Sequence, residues 1–188
     1  DFYQGTELWD FSLVDPDNRR PVDFVTRGEM LERGGQEAPD WKALVENWQG
    51  GEIKLALTRR LLALRARHAE LFTDGGYRPL RVSGTDAGRV LAFERHLGRA
   101  SVVVIVARHF APATEGGRRW SPAENLDAEI DLSRFIRLTD ALGAGAEIPG
   151  GRHRVGGLLA TLPVAVLEGE SAAASVSRKR SGRAGVPV

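Results

Sequence analysis

The residues best suited to chemistry lie at the start of the chain, in DFYQGTELWDFSLVDPDNRRPVDF, residues 1–24. Two aromatics, Phe2 and Tyr3, adjoin an amide, Gln4, a glycine, Gly5, and a carboxylate, Glu7. Trp9 comes next, and then a turn-rich run with Asp15, Asp17, Asn18, Arg19 and Arg20. Carbohydrate sites are built from such parts. Aromatic rings stack on the apolar face of a pyranose, and Asp, Asn, Gln and Arg pair with hydroxyls. Gly5 lets the backbone pass close to another group. On residue types alone the same stretch also reads as a surface loop with internal ion pairs. Glu7, Asp15 and Asp17 are not assigned as a catalytic pair. Glycosidic chemistry with retention needs two carboxyl groups held rigidly about 5–5.5 Å apart, and a loop containing Pro16 offers no such frame.

Other reactive types are scattered. His68, His96, His109 and His153 show no metal-ligand spacing, and no metal or other cofactor is expected. Ser12, Ser83 and Ser101 lack the setting of a nucleophile. The glycine pairs are not followed by Lys-Ser or Lys-Thr, so no phosphate loop is formed. Trp9, Trp41, Trp48 and Trp120 could each stack on a sugar; Trp41 and Trp48 fall at core spacing, and Trp9 is the best candidate by its adjacency to this segment.

The elements that would position these residues begin with helices. Short helical patches are expected at 27–33 and 40–48, the second with Trp41, Leu44, Val45 and Trp48 on one face. Residues 52–71 carry the strongest helical pattern. Ile53, Leu57, Leu61 and Leu64 lie on one face, with Leu55, Leu62 and Ala66 nearly opposite, so this helix is expected to pack on two sides. After residue 76 the pattern becomes β, with strands expected at 77–82, 89–96, 101–107, 130–138 and 155–167. The β-branched run 101–107 reads as buried on both faces. Pro163 makes the last strand an edge strand or splits it. The spacing suggests an antiparallel sandwich. From 169 a disordered tail is expected, Ala/Ser-rich and then basic, with Arg178, Lys179, Arg180 and Arg183.

Bulk properties exclude several classes. The chain has 188 residues, 42% hydrophobic and 27% charged, which is globular composition. A formal charge of +1 gives no field for nucleic acid or an acidic membrane, and neither partner is expected. With no cysteine there is no disulfide and no thiolate site. No apolar run approaches the roughly 18 residues that span a bilayer. No leader is visible, and a cytoplasmic location is expected. The opening Asp1-Phe2-Tyr3 reads as the middle of something, an engineered cut or a partial chain.

Tyr3-Gln4-Gly5-Thr6-Glu7 resembles the late aromatic-x-Gly-x-Glu motif of α-amylase-superfamily barrels, glycoside hydrolase family 13. The longer string of residues 1–24 is similar, nearly residue for residue, to maltooligosyltrehalose synthases. The likeness continues through Ile53-Lys54-Leu55, Thr58-Arg59-Arg60-Leu61-Leu62-Ala63-Leu64-Arg65, Glu70-Leu71-Phe72 and Gly76-Tyr77-Arg78-Pro79-Leu80. It is looser at Leu162-Pro163-Val164-Ala165-Val166-Leu167, while 111–150 and the tail are not diagnostic.

The resemblance implies a mixed α and β fold: the terminal piece of a (β/α)8 barrel (last strand, loop and helices) over 1–74, then an antiparallel C-terminal β-sandwich over 75–168. It implies a parent isomerase of trehalose biosynthesis. That enzyme turns the reducing-end α-1,4 linkage of a maltooligosaccharide into an α,α-1,1 linkage by intramolecular transfer. The nucleophile and acid would lie upstream of Asp1, in a catalytic portion that is also the packing partner, so the piece alone would be inactive. Tyr3, Gln4, Glu7, Trp9, Asp15, Asp17, Asn18, Arg19 and Arg20 would then contact or surround the sugar, with Glu7 orienting a neighbouring Arg or His. A stand-alone carbohydrate-binding or structural β-module, or part of a hydrolytic amylase-type enzyme, are the alternatives.

Overall fold

A run of alternating valines and isoleucine sets the centre of the fold. Strand β4 (Ala100–Ala107) buries Val102 toward one side and Val103 and Ile105 toward the other. The computed structural model describes residues 3–13, 15, 19–35, 38–109, 111, 114, 119–120 and 126–172. Around β4 lie β1 (Gly76–Pro79), β3 (Val90–Leu97), β6 (Phe135–Asp140), β7 (Glu147–Pro149) and β9 (Val164–Ser171). They form a six-stranded sheet in the order β1-β3-β4-β9-β6-β7, each neighbour antiparallel. A three-stranded antiparallel sheet, with β5 (Glu129–Asp131) between β2 (Val82–Ser83) and β8 (Arg152–Arg154), lies apart from it.

The two faces of the large sheet are covered differently. On one face Val103, Ile105, Ala165 and Leu167 meet Ile130 of the small sheet, with Val155 and Leu159 from α5 (Val155–Leu158) and the residue after it. On the other face Val102 and Val166 meet Trp41, Leu64 and Leu71. Those three residues belong to α2 (Trp41–Glu46), α3 (Glu52–Arg67) and α4 (Ala69–Thr73). The first helix, α1 (Phe24–Arg33), lies outside them and buries no residue. Its start is fixed by Asp23, whose carboxylate accepts from the Thr26 N–H at 2.9 Å; Asp40 does the same for α2 through Ala43 at 3.1 Å.

Polar side chains join the helical layer to the sheet. The Trp41 indole donates to the Leu142 carbonyl at 2.8 Å, and Arg60 donates to the Ala141 carbonyl at 2.9 Å. Arg95 on β3 caps the end of α4 by donating to the carbonyls of Phe72 and Gly75, both at 2.9 Å. His68, at the break between α3 and α4, lies 2.8 Å from the Glu168 carboxylate on β9. On the opposite face Glu94 is fully buried, at 0% exposure. Its carboxylate accepts from the Ser101 hydroxyl at 2.8 Å and pairs with Arg78 at 3.0 Å and Arg134 at 3.1 Å.

Several expectations are corrected here. The helix expected over 52–71 is two helices, because the chain breaks at His68 and α4 turns onto β3. Its two-sided packing is uneven: Leu64 meets the sheet, Leu55 faces a groove with α1 and α2, and Leu62 is exposed. Residues 130–138 are not one strand, since Leu132–Arg134 turn between β5 and β6. Residues 155–158 are helical, and β9 starts only after Pro163. Pro163 therefore costs no ladder bond, and β9 sits centrally between β4 and β6, not at an edge. The strand also runs to Ser171, so the expected tail from 169 is too early; residues 173–188 lie outside those described. The last barrel strand expected at the start of the chain is not formed among residues 3–13, which turn at Gln4–Gly5. A strand needs a neighbour for its backbone groups, and no described strand runs alongside.

Breaking the Glu94 cluster tests this packing. Glu94→Ala leaves two guanidinium groups facing a buried gap and should lower stability in urea by about 3 kcal/mol. A loss under about 1 kcal/mol would show that the cluster is not anchored as described.

Candidate functional site

The segment 3–9 is laid across α1 and the start of α3. Gly5 is buried and left-handed, with φ +92°, and a Cβ there would come within 2.6 Å of Val22. The tight turn therefore needs glycine. Arg27 of α1 ties this turn to the carboxylate beyond it. Its Nε meets the Glu7 carboxylate at 3.0 Å, and its Nη2 donates to the Gly5 carbonyl at 2.9 Å. The other Glu7 oxygen accepts from the Gly5 N–H at 3.1 Å. Tyr3 accepts through its carbonyl from the Thr6 hydroxyl at 2.7 Å, while its ring stays 75% exposed and Gln4 is exposed beside it.

Farther along, the Leu8–Trp9 backbone crosses the entry to α3. Gly51 is left-handed at φ +79°, and a Cβ there would lie 3.0 Å from the Trp9 nitrogen. Lys54 of α3 donates to the Leu8 carbonyl at 2.9 Å. The Trp9 indole donates to the Trp48 carbonyl at 2.6 Å. Trp41 is a core residue as expected, but Trp48 is only half-buried and meets Trp9 edge-on at 6.3 Å between ring centroids. Beyond this point Asp15 and Arg19 form an exposed ion pair, and Arg20 is exposed. Asp17 and Asn18 lie outside the described residues.

Among the described residues of this arrangement the carboxylates are already engaged, Glu7 by Arg27 and the Gly5 N–H, Asp10 by the Ser12 N–H and Asp15 by Arg19. Burial pushes the Glu7 carboxyl up, but hydrogen bonds from its own and the Gly5 N–H, together with Arg27, outweigh it and hold it below the ordinary glutamate range. Both its oxygens are engaged and it stays ionised near neutral pH, so it is neither proton donor nor available nucleophile. Among the described residues no group of three or more His, Asp or Glu is placed to hold a metal ion. No described helix is long and apolar enough to cross a membrane. Three clefts of about 990, 600 and 350 Å³ lie elsewhere, between sheet strands or helices, and none of the described residues among 3–20 lines them. Tyr3, Gln4, Trp9, Asp15, Arg19 and Arg20 are all exposed.

Arg27 and Lys54 were not legible as site residues. Each acts on a backbone carbonyl, 22 and 46 residues away, and a carbonyl leaves no mark in a sequence. The one available signal was Glu7, a carboxylate in need of a cation.

Because Glu7 is held low in the folded state, its contribution to stability is complete above the ordinary glutamate pKa of about 4.3. It is lost as pH falls through the lowered folded value. Glu7→Gln should therefore flatten the pH dependence of the melting temperature below about pH 5. An acid limb identical to that of the unsubstituted chain would contradict the geometry.

The comparisons with known proteins bear on what this surface serves. No family model matches the chain. Two Mycobacterium tuberculosis proteins named maltooligosyl trehalose synthase, from strains CDC 1551 and H37Rv, are 44% identical to it over 95 residues. That match covers 50% of this chain and 10% of each relative. A mutant of maltooligosyltrehalose synthase from Arthrobacter ramosus superposes with a TM-score of 0.65 at 35% identity, over 90% of this chain and 20% of that one. The glycosyltrehalose synthase of DSM5389 gives 0.57 at 25% identity, over 90% and 18%. The chain spans a tenth of the curated relatives' length, and over that share it is similar in sequence and in fold to maltooligosyltrehalose synthases.

Proposed function

We propose that this chain is part of an enzyme that converts the reducing-end α-1,4 linkage of a maltooligosaccharide into an α,α-1,1 linkage, in trehalose biosynthesis. The observation that carries the reading is the 44% identity over 95 residues to proteins named for that activity, supported by the shared fold. In this reading residues 1–74 adjoin a (β/α)8 barrel whose strands lie outside this chain together with the reacting carboxylates, and the C-terminal β-domain runs from 75 to 171. Tyr3, Gln4, Trp9, Asp15, Asp17, Asn18, Arg19 and Arg20 contribute to the sugar-facing rim. Glu7 and Arg27 hold that rim in shape.

Isomerisation without net hydrolysis places a particular demand on such a rim. A carboxylate takes the glycosyl chain while an acid protonates the leaving oxygen. The leaving glucose must then stay bound, turn, and return its anomeric hydroxyl before water attacks. Groups that grip the terminal sugars and exclude water favour that outcome. Exposed amides, carboxylates and guanidinium groups beside aromatic rings suit that grip.

The distribution of apolar surface supports a further body packed against this part of the chain. Phe11 and Leu13 are 80% and 89% exposed, and Phe24, Val25 and Leu31 are exposed as well. Large apolar side chains left this exposed favour a covering body. A free-standing module has no use for it.

Two outcomes test the reading. The purified 188-residue chain should neither form trehalosyl ends nor hydrolyse maltooligosaccharides. Turnover by this chain alone contradicts the absence of reacting carboxylates, and in the longer enzyme release of new reducing ends would favour the hydrolytic alternative. In that longer enzyme Arg19→Ala should lower kcat/KM for transfer by about tenfold. The melting temperature should hardly change, because an exposed ion pair adds little stability. Unchanged kinetics with a lower melting temperature would make Arg19 structural.

A further inference from the structure

Trp9 is held from outside the segment that carries it. Its indole N–H is engaged by the Trp48 carbonyl at 2.6 Å, and the Trp48 ring meets it at 73°. The Lys54 ammonium lies 5.7 Å from its ring centroid and is tied to the Leu8 carbonyl at 2.9 Å. Behind it, the backbone rests on Gly51, where a Cβ would lie only 3.0 Å from the Trp9 nitrogen. The residue nonetheless keeps 37% of its surface exposed. Freezing a mobile aromatic on binding costs side-chain entropy, and here the Trp48 carbonyl, the Trp48 ring and Lys54 already hold the indole.

Resting on the function proposed above, we infer that Trp9 is a preformed stacking platform for one glucose unit of an α-1,4-glucan, with Lys54 and Trp48 as its positioning residues. The exposed part of the indole offers an apolar surface of the kind that pyranose C–H groups pack against. Lys54 has three N–H donors and uses one on Leu8, so the others can reach a hydroxyl of the same glucose. The Trp9 indole N–H is already bonded and takes no part in recognition, so contact with the sugar is through the ring. Lys54 thus fixes the ring and flanks it with donors.

The test is a titration of the isotope-labelled chain with maltoheptaose, following its four indole N–H resonances by NMR. The Trp41 indole, bonded to the Leu142 carbonyl in the core, reports folding. The Trp9 resonance should shift saturably while Trp41 stays in place. Lys54→Met should weaken binding at least about threefold, and Lys54→Arg should restore it to within about twofold. A Trp9 resonance that ignores maltoheptaose, or Lys54→Met binding as tightly as the original with Trp41 unmoved, overturns the inference. Kinetics of the longer enzyme separate it from the reading it rests on. If both hold, Trp9→Ala raises KM more than it lowers kcat. An unchanged KM removes the platform alone, and absence of trehalosyl product from the unsubstituted enzyme removes the functional reading.

Discussion

A sheet whose two central strands are apolar on both faces has to be covered twice. In β4 and β9, Val103, Ile105, Ala165 and Leu167 point one way, and Val102, Val104, Val164 and Val166 the other. Each buried valine or leucine contributes roughly 1.5–3 kcal/mol only if something lies over it. The small sheet with α5 covers the first face. Helices α2, α3 and α4 cover the second, and polar clamps at Trp41, Arg60 and Arg95 fix where they lie. The helices are therefore a layer of the same body.

That layer is what aims the opening segment. α3 offers Lys54 and the left-handed Gly51 to the Leu8–Trp9 backbone, and α1 offers Arg27 to Gly5 and Glu7. The order of dependence runs from the two-faced sheet to the helices, and from the helices to the open surface of Tyr3, Gln4 and Trp9. Its chemistry is that of holding. The best-placed carboxylate, Glu7, serves as an internal brace, so in the proposed reaction bond making falls to groups outside this chain. An isomerase needs such holding as much as it needs acids, since its leaving group must not escape.

How much of this was legible in the sequence depends on where the determinants lie. The β-branched run of β4 declared both its strand and its double burial, because its own side chains carry the signal. The apolar faces of α3 were equally plain, but its break at His68 was not, since the periodic pattern continues to Leu71. Strands β7 and β8 have three residues each and offer no period to read. Val155–Leu158 contains two glycines and still forms a helical turn, because Val155 and Leu159 are drawn into the core after β8. At the site, Glu7 announced its need for a cation, and Trp9 stood out by its neighbours. Arg27 and Lys54 stayed hidden because they act on distant carbonyls.

Hydrogen exchange of the native chain decides whether helices and sheet are one body. If the helices are the second cover of the sheet, the amides of α3 and of β4 should open together, with the same free energy and the same dependence on denaturant. Helical amides that exchange through a separate, much cheaper opening while β4 stays protected would show that the sheet stands without them, and the opening segment would then have no fixed layer to aim it.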